Sequence, residues 1–387
     1  MLGFALCLLV GAARTQTYDP DIQRRFLEGA AQLQAGDLEG AERTFREVLE
    51  KTNSPRVKLE LARTLFLLKR YRESRALFRE VLLDTDVPWQ VRENVEVFLR
   101  RIDEAYGYVR FAASIVSDSN PRNVTSQRQF TIGGFQLTFV PPPDNRRVTG
   151  MRYAVQALQP IDAASRLSGY LTGAYVDYPN DIFDRLTLDL GLAKSFDIAG
   201  RSVLRGGIEK GTFGGRSLYD FPYVAYRRVI SDLPRERLTG EVKAGRVNFP
   251  HYEYMDAAYG SAALSAVTTA SETVALGLNL KLERSNAREE PYSYAGVALG
   301  PGLWWLVNRP AILVTADVTF GKRDYRATDP LFGQERTDHK TLMELAVRSR
   351  HWRWSNLRPA LIVSTEHNRS SIGFYEYEKV NFSVALE

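Results

Sequence analysis

Cysteine is almost missing: the 387 residues hold one, Cys7, inside the first thirteen positions. A chain so poor in thiols has no internal disulfide, no Cys-based metal cluster and no thiol nucleophile beyond that stretch. Histidine is nearly as scarce. His251, His339, His351 and His367 carry no metal-ligand spacing and read as solvated residues of loops and turns. Past the N-terminus no apolar run is long enough for a membrane helix. The 51 basic residues are spread along the chain against 46 acidic ones, so the net charge of +5 gathers into no block of the kind that grips nucleic acid. Gly206-Gly207 and Gly214-Gly215 match no phosphate loop, and no Ser/His pair suggests a hydrolase. Asp118 and Asp338 read as loop-capping or surface charges. The expectation is a protein that is not an enzyme and uses no cofactor or metal.

What the chain does have falls into three parts. Residues 1–13 (MLGFALCLLVGAA) are apolar and end in small residues, as in the core and cleavage site of a secretory signal, with cutting near Ala13. A lipoprotein signal needs a small residue before its cysteine; Cys7 follows Leu6.

From residue 18 to 106 the apolar residues recur at three- and four-residue spacing, as in Leu59, Leu61, Ala62, Leu65, Phe66 and Leu68, which is a helical period. Phe45-Arg46-Glu47-Val48-Leu49 recurs as Phe78-Arg79-Glu80-Val81-Leu82. This resembles the tetratricopeptide repeat, whose period is about 34 residues. Gly29, Ala41 and Ala62 are small enough to let paired helices approach, and Phe45 and Phe78 are placed to fill the gaps between neighbours. A third helical stretch over 88–104, with Val91, Val95, Phe98, Leu99 and Ile102 on one face, is expected to cap the stack. Two repeats suit a docking surface for a protein partner; they also suit a plain helical bundle with no binding role.

From Tyr108 the period changes to two. Val274, Leu276, Leu278, Leu280 and Leu282 alternate with Ala275, Gly277, Asn279, Lys281 and Glu283; Leu186 to Leu192 and Ile312 to Phe320 repeat the pattern. Short turns alternate with longer polar links. That is the rhythm of a transmembrane β-barrel, whose apolar rows face lipid and whose other face lines a lumen. If both ends of the barrel lie on one side of the membrane the strand number is even. Placing residues 130–140 outside the bilayer gives about fourteen strands. The expected fold is therefore an all-α tetratricopeptide-like domain (18–106) followed by an all-β antiparallel transmembrane barrel (108–387). Tyr175, Tyr178, Trp304, Trp305, Trp352, Trp354, Tyr375 and Tyr377 are expected as interfacial girdles. Arg152, Arg166, Asp189, Arg205, Glu209, Glu241, Lys243, Lys281, Glu283, Asp317, Glu344 and Arg348 are expected on the lumen wall. Their mixed signs suit a salt-bridged lining, or a hydrated path that touches cargo.

The whole resembles the surface lipoprotein assembly modulator family, in its order of signal, short helical repeats and barrel. Ser117-Asp118-Ser119-Asn120-Pro121-Arg122-Asn123, the tail over 371–384 with Tyr375 and Tyr377, and the helix over 88–102 carry the likeness. The resemblance implies an outer-membrane protein with its helical domain in the periplasm. Its work would be delivering lipoproteins or related secreted proteins across that membrane, with outer-membrane lipid and periplasmic chaperones as further partners and no nucleic acid. The chain departs from the pattern in having only two clear repeats and in closing on Leu386-Glu387 where such barrels usually end on an aromatic residue. A polysaccharide export porin, or a diffusion porin with a helical appendage, is the alternative; the mixed lumen charges favour the first reading.

Overall fold

The structure, a computed structural model, describes residues 19–83, 87, 89–132, 134–162, 164–196, 201–233, 235–309, 311–349, 352 and 358–386. The expected signal over 1–13, together with His351 and Trp354, lies outside them. Two compact units divide between Val87 and Pro88.

The first unit holds α1 (Pro20–Ala35), α2 (Leu38–Lys51), α3 (Pro55–Leu67) and α4 (Tyr71–Leu83). Local chemistry sets their ends. Asp19 caps α1 by accepting from the Asp21 amide, and Pro20 supplies a fixed φ where no amide donor is needed. Gly36 stops the helix in the left-handed region at φ 84°. Asp37 then caps α2 by accepting from the Gly40 amide at 2.9 Å. α1 packs on α2, α2 on α3 and α3 on α4. Ala41, Phe45, Val48, Val57, Leu61 and Leu65 form the core, with Phe26 and Ile22 against it. All five residues expected to carry repeat packing are buried: Gly29 by Phe45, and Ala41, Phe45, Ala62 and Phe78 completely. Ser74 adds a buried hydrogen bond from its hydroxyl to the Ala62 carbonyl at 2.8 Å, joining α4 to α3.

The second unit begins with α5 (Trp89–Tyr106). This helix, expected to cap the helical stack, belongs instead with the barrel. Its Asp103 accepts from Arg110 of the first strand at 2.8 Å. Gly107, at φ 75°, makes the turn between them, and a Cβ there would strike the Leu158 carbonyl. Only glycine fits so tight a reversal.

Among the described residues sixteen strands follow: β1 (Tyr108–Asp118), β2 (Gln129–Ile132), β3 (Phe135–Thr138), β4 (Val148–Asp162), β5 (Leu167–Asp177), β6 (Arg185–Ser195), β7 (Ser202–Phe213), β8 (Arg216–Leu233), β9 (Glu236–Val247), β10 (Ala257–Thr269), β11 (Val274–Ala287), β12 (Tyr294–Val307), β13 (Ile312–Thr328), β14 (Glu335–Ser349), β15 (Pro359–Ser370) and β16 (Tyr377–Leu386). Fourteen close a barrel in chain order, each antiparallel to its neighbours, and β2 pairs only with β3. The hairpin thus stands outside the barrel wall, as the even strand count requires. The barrel shuts where Ala113 to Asp118 of β1 meet Leu386 to Asn381 of β16.

The fourteen barrel strands run from 10 residues in β16 to 18 in β8. About 9–11 residues cross a hydrocarbon core at a tilt, so the longer strands project beyond it. This projection explains His339 and His367, expected in loops but found on β14 and β15. The outward rows are exposed: Leu276, Leu278 and Leu282 are 44%, 48% and 53% accessible. A water-soluble sheet would cover such rows; only lipid makes them favourable.

α5 enters β1 at what we call the near end. Loops at the far end span 119–147 (L1), 178–184 (L2), 214–215 (L3), 248–256 (L4), 288–293 (L5), 329–334 (L6) and 371–376 (L7). Several are stapled by one polar side chain. Asp184 accepts from the Tyr178 amide at 2.9 Å, Asp256 from Phe249 at 2.7 Å and Ser293 from Ala287 at 2.8 Å.

Candidate functional site: the lumen and its far mouth

Cross-strand partners point to the same side of a sheet, so the register assigns every inward side chain. Arg152, Asp189, Arg205, Glu209, Glu241, Lys243, Lys281, Glu283, Asp317, Glu344 and Arg348 all lie on the inward parity. Arg166 does not. It sits in the turn between β4 and β5 at φ 55°, because a bulge between Pro160 and Asp162 ends the alternation before it. The lumen is hydrated at mid-depth, where inward Arg152, Gln156, Thr172 and Asn279 are exposed. Asp317 and Glu344 face each other on β13 and β14, and Arg348 donates to the Thr315 hydroxyl at 3.0 Å.

Most of the other expected wall residues join a belt of aromatic rings and paired charges. Tyr170 and Tyr223 share a 2.9 Å hydroxyl contact, and Tyr223 donates to Asp189 at 2.8 Å. Tyr219 donates to Glu209 at 2.6 Å, and Lys243 reaches the same carboxylate at 3.1 Å. Arg205 pairs with Glu241 at 2.8 Å. Further round, Glu283 receives Lys281 at 2.8 Å, Arg323 at 2.7 Å and the Tyr259 hydroxyl at 3.0 Å. Cations also lie on ring faces: Lys243 is 3.8 Å from the Tyr223 centroid, Arg323 4.7 Å from Tyr294, and Arg336 3.5 Å from Tyr375. Each arrangement holds a charge by attraction to the ring quadrupole. Glu209, Glu241 and Glu283 thus sit beside cations while Asp189 is held by tyrosine hydroxyls, so the belt carries both signs of charge. The tyrosines, Arg323 and Arg336 were missed in the sequence; inward alternation with Asp189, Glu209 and Glu283 was the available signal.

The far mouth is packed. Asp118, Asn120, Ser285, Asp338, Asn368 and Lys379 are all under 9% exposed. Asp118 and Asp338, expected as loop-capping or surface charges, are buried partners, Asp338 of Arg336 at 2.6 Å and Asp118 of Lys379 at 2.8 Å and Arg185 at 3.3 Å, and Asp118 also caps the loop by accepting from the Asn120 amide at 3.0 Å. β4 and β5 separate Asp118 on β1 from Arg185 on β6, so these inward side chains meet across the opening. Arg185 also donates to the carbonyl of Pro121, which is fully buried. L1 therefore lies inside the rim. Farther on, Phe130 and Phe139 of L1 pack edge-on to Phe374 of L7 at 5.6 and 6.0 Å, and Phe130 meets Phe332 of L6 at 6.4 Å. Tyr375 donates to Asp329 at 2.8 Å, and burial together with that bond pushes its phenol above the ordinary value.

The expected girdle needs correction at four positions. Trp305 is outward and 48% exposed, but Trp304 faces the lumen, where it lies over Gly277 and Gly302. Adjacent strand residues point to opposite faces, so both could not face lipid. Tyr178 is buried in L2, Tyr375 belongs to the L6–L7 contact, and Tyr377 donates inward to Glu366. Tyr175 and Trp352 are exposed. His367 pairs with Glu378 at 2.7 Å, and the described residues include no group of three metal-ligating side chains.

Outward leucine rows, a closed barrel and a hydrated, charge-paired lumen define an outer-membrane β-barrel joined to a tetratricopeptide-like domain. Residues 234–387 match the family described as surface lipoprotein assembly modifier, and residues 32–88 match the tetratricopeptide repeat. The first match covers β9 to β16. The chain is thus placed in the outer membrane with its helical domain in the periplasm, which makes the near end periplasmic and the far end the cell surface.

Among solved structures, OmpT of Vibrio cholerae in its trimer form is 9% identical, covering 73% of this chain and 99% of that one, with a TM-score of 0.36. The anion-selective porin from Comamonas acidovorans is 9% identical over 72% and 98%, with a TM-score of 0.36. OpdK of Pseudomonas aeruginosa is 8% identical over 72% and 98%, with a TM-score of 0.40. Likenesses this low leave function to the residues themselves. No curated protein matches the chain.

Proposed function

We propose that this protein delivers surface lipoproteins, or related secreted proteins, across the outer membrane. The family match over residues 234–387 carries the reading. The lumen supports it by what it is unsuited to. A diffusion porin needs an open mouth, and here the root of L1 is buried inside the rim, with Pro121 against Arg185 of β6. An export porin for a charged polysaccharide needs a lining of one sign, and here acids and bases stand side by side, as in Arg205 with Glu241, Lys243 with Glu209, and Lys281 and Arg323 with Glu283. In this reading the helical domain meets the cargo or a periplasmic chaperone, and the barrel provides the membrane step.

The test is delivery. A lipoprotein encoded beside this chain is co-expressed in a Gram-negative host with and without it, and surface exposure is read by antibody on intact cells. Exposure that depends on the chain, at equal total lipoprotein, supports the reading. Exposure that is unchanged when the chain is absent overturns it. Export of polysaccharide in place of protein would replace it with the alternative.

A further inference from the structure

The segment Ser117-Asp118-Ser119-Asn120-Pro121-Arg122-Asn123 lies where L1 leaves β1, and two of its side chains hold more elements together than any loop staple described above. One Asp118 carboxylate contacts Lys379 of β16 at 2.8 Å and Arg185 of β6 at 3.3 Å, and also accepts from the Asn120 amide at 3.0 Å. It is 2% exposed. A carboxylate shared by two cations out of reach of water ties three strands and a loop to one point, and its loss leaves two like charges facing each other.

Asn120 knots the loop to itself. It donates to the Val124 carbonyl at 2.8 Å and to the Glu378 carbonyl at 3.0 Å, accepts from the Val124 amide at 2.9 Å, and accepts from the Asn145 side chain at 2.9 Å. Both ends of L1 and the start of β16 thus converge on one amide.

Beyond this root the attachment changes character. β2 and β3 pair with each other and with no barrel strand. Thr125, next to the root, donates to the Gly373 carbonyl at 2.8 Å, and the hairpin beyond it is held by edge contacts between rings, as from Phe130 to Phe374. Phe135 at the hairpin turn is 74% exposed. L1 is a preformed piece, strongly fastened at its root and lightly at its tip, lying within an opening whose lumen is otherwise hydrated.

We propose that L1 is a removable plug of the surface mouth and that Asp118 and Asn120 form the latch that holds it shut. Asp118 is a positioning residue: it fixes where L1 lies and touches no cargo. Release of the latch lets the loop swing out with its hairpin intact, and the mid-depth lumen then opens to the cell surface. The inference rests on the membrane barrel and is independent of what the barrel carries.

The test is the ionic conductance of the purified full chain in planar lipid bilayers. Wild type is expected to stay near baseline, and Asp118→Asn to raise mean conductance severalfold with stepwise opening and closing. Asn120→Ala, which leaves the buried charges untouched, is expected to act in the same direction and decides the matter if Asp118→Asn fails to fold. Adding Thr125→Cys with Gly373→Cys to either variant, together with Gln127→Ala to clear the Gln127 Oε1 that a Cβ at 373 would strike, provides a clamp, since Cys7 within the expected signal is the chain's single native cysteine. Oxidation should return conductance to the wild-type level and reductant should release it.

A wild type that already conducts as widely as the variants overturns the plug. So do folded variants that stay at baseline, and so does an oxidised clamp that leaves conductance high. Each of these results leaves the delivery assay standing, and a failure of delivery leaves the latch standing.

Discussion

The contact between Gly29 and Phe45 makes a sharp test of the helical domain. A Cβ added at Gly29 would lie 2.9 Å from Phe45 Cε1 and 3.1 Å from Cδ1. The ring cannot retreat freely: it is fully buried in the α1–α3 core and tilted against Phe26 at 5.7 Å. Overpacking of this kind costs about 1–3 kcal/mol. Alanine in place of glycine in a helix returns about 1 kcal/mol. Gly29→Ala should therefore destabilise the domain by about 1 kcal/mol net. Phe45→Leu withdraws the ring edge that faces Gly29, and in that background the same Gly29→Ala change should become neutral or stabilising by about 1 kcal/mol. The sign reversal is the interaction energy of the pair, about 1–2 kcal/mol. The full chain in detergent micelles, unfolded by urea and followed by ellipticity at a helical wavelength, reads it directly, because the barrel adds little helical signal. Phe45→Ala is the extreme case. It should cost about 3–5 kcal/mol, which matches the whole stability expected of so small a core, so the helical signal should be lost at room temperature. If Gly29→Ala costs the same in both backgrounds, or Phe45→Ala keeps its full helical signal, the packing argument is wrong.

Two further outcomes follow from the same structure. Burial raises the Glu60 carboxyl above its ordinary 4.5, against the pull of Arg63 and Arg56. Between the ordinary value and the raised one, the unfolded chain releases this proton while the folded domain keeps it, so the group's contribution to stability falls as pH rises through that window. Glu60→Gln should therefore gain on wild type in helical melting temperature between pH 4 and pH 7; a difference that does not vary with pH refutes this. Brominated lipid should quench Trp305 and spare Trp304, read as the loss of quenching in Trp305→Phe but not in Trp304→Phe. Equal loss in both would refute the inward assignment of Trp304.

The barrel was legible because lipid imposes a strict pattern. Rows such as Leu276, Leu278 and Leu282 keep one face apolar for a full crossing, and a chain returning to its starting side needs an even strand number. The helical repeat was legible for a similar reason, since Phe45 and Phe78 recur with their neighbours unchanged. The errors came where the pattern stops. Alternation holds only up to the bulge before Arg166, and the helical period of α5 says nothing of which unit it joins. Trp304 and Trp305 share a residue type suited to the interface, but the pleat sends adjacent residues to opposite faces.

The far mouth shows a different limit. Parity alone places Asp118 inward, since Ile115 on the same strand faces lipid, so its direction could have been read from the sequence. Its partners could not. Arg185 lies three strands away around the wall and Lys379 enters from the other end of the chain, and the three meet only once the barrel has closed. Closure converts separate inward charges into one buried group, and the same step carries Pro121 and L1 inside the rim. A charge alone at that position would be costly to bury, so the three charges are retained only together. The cost of separating them is what makes the loop's position a defined state of the protein.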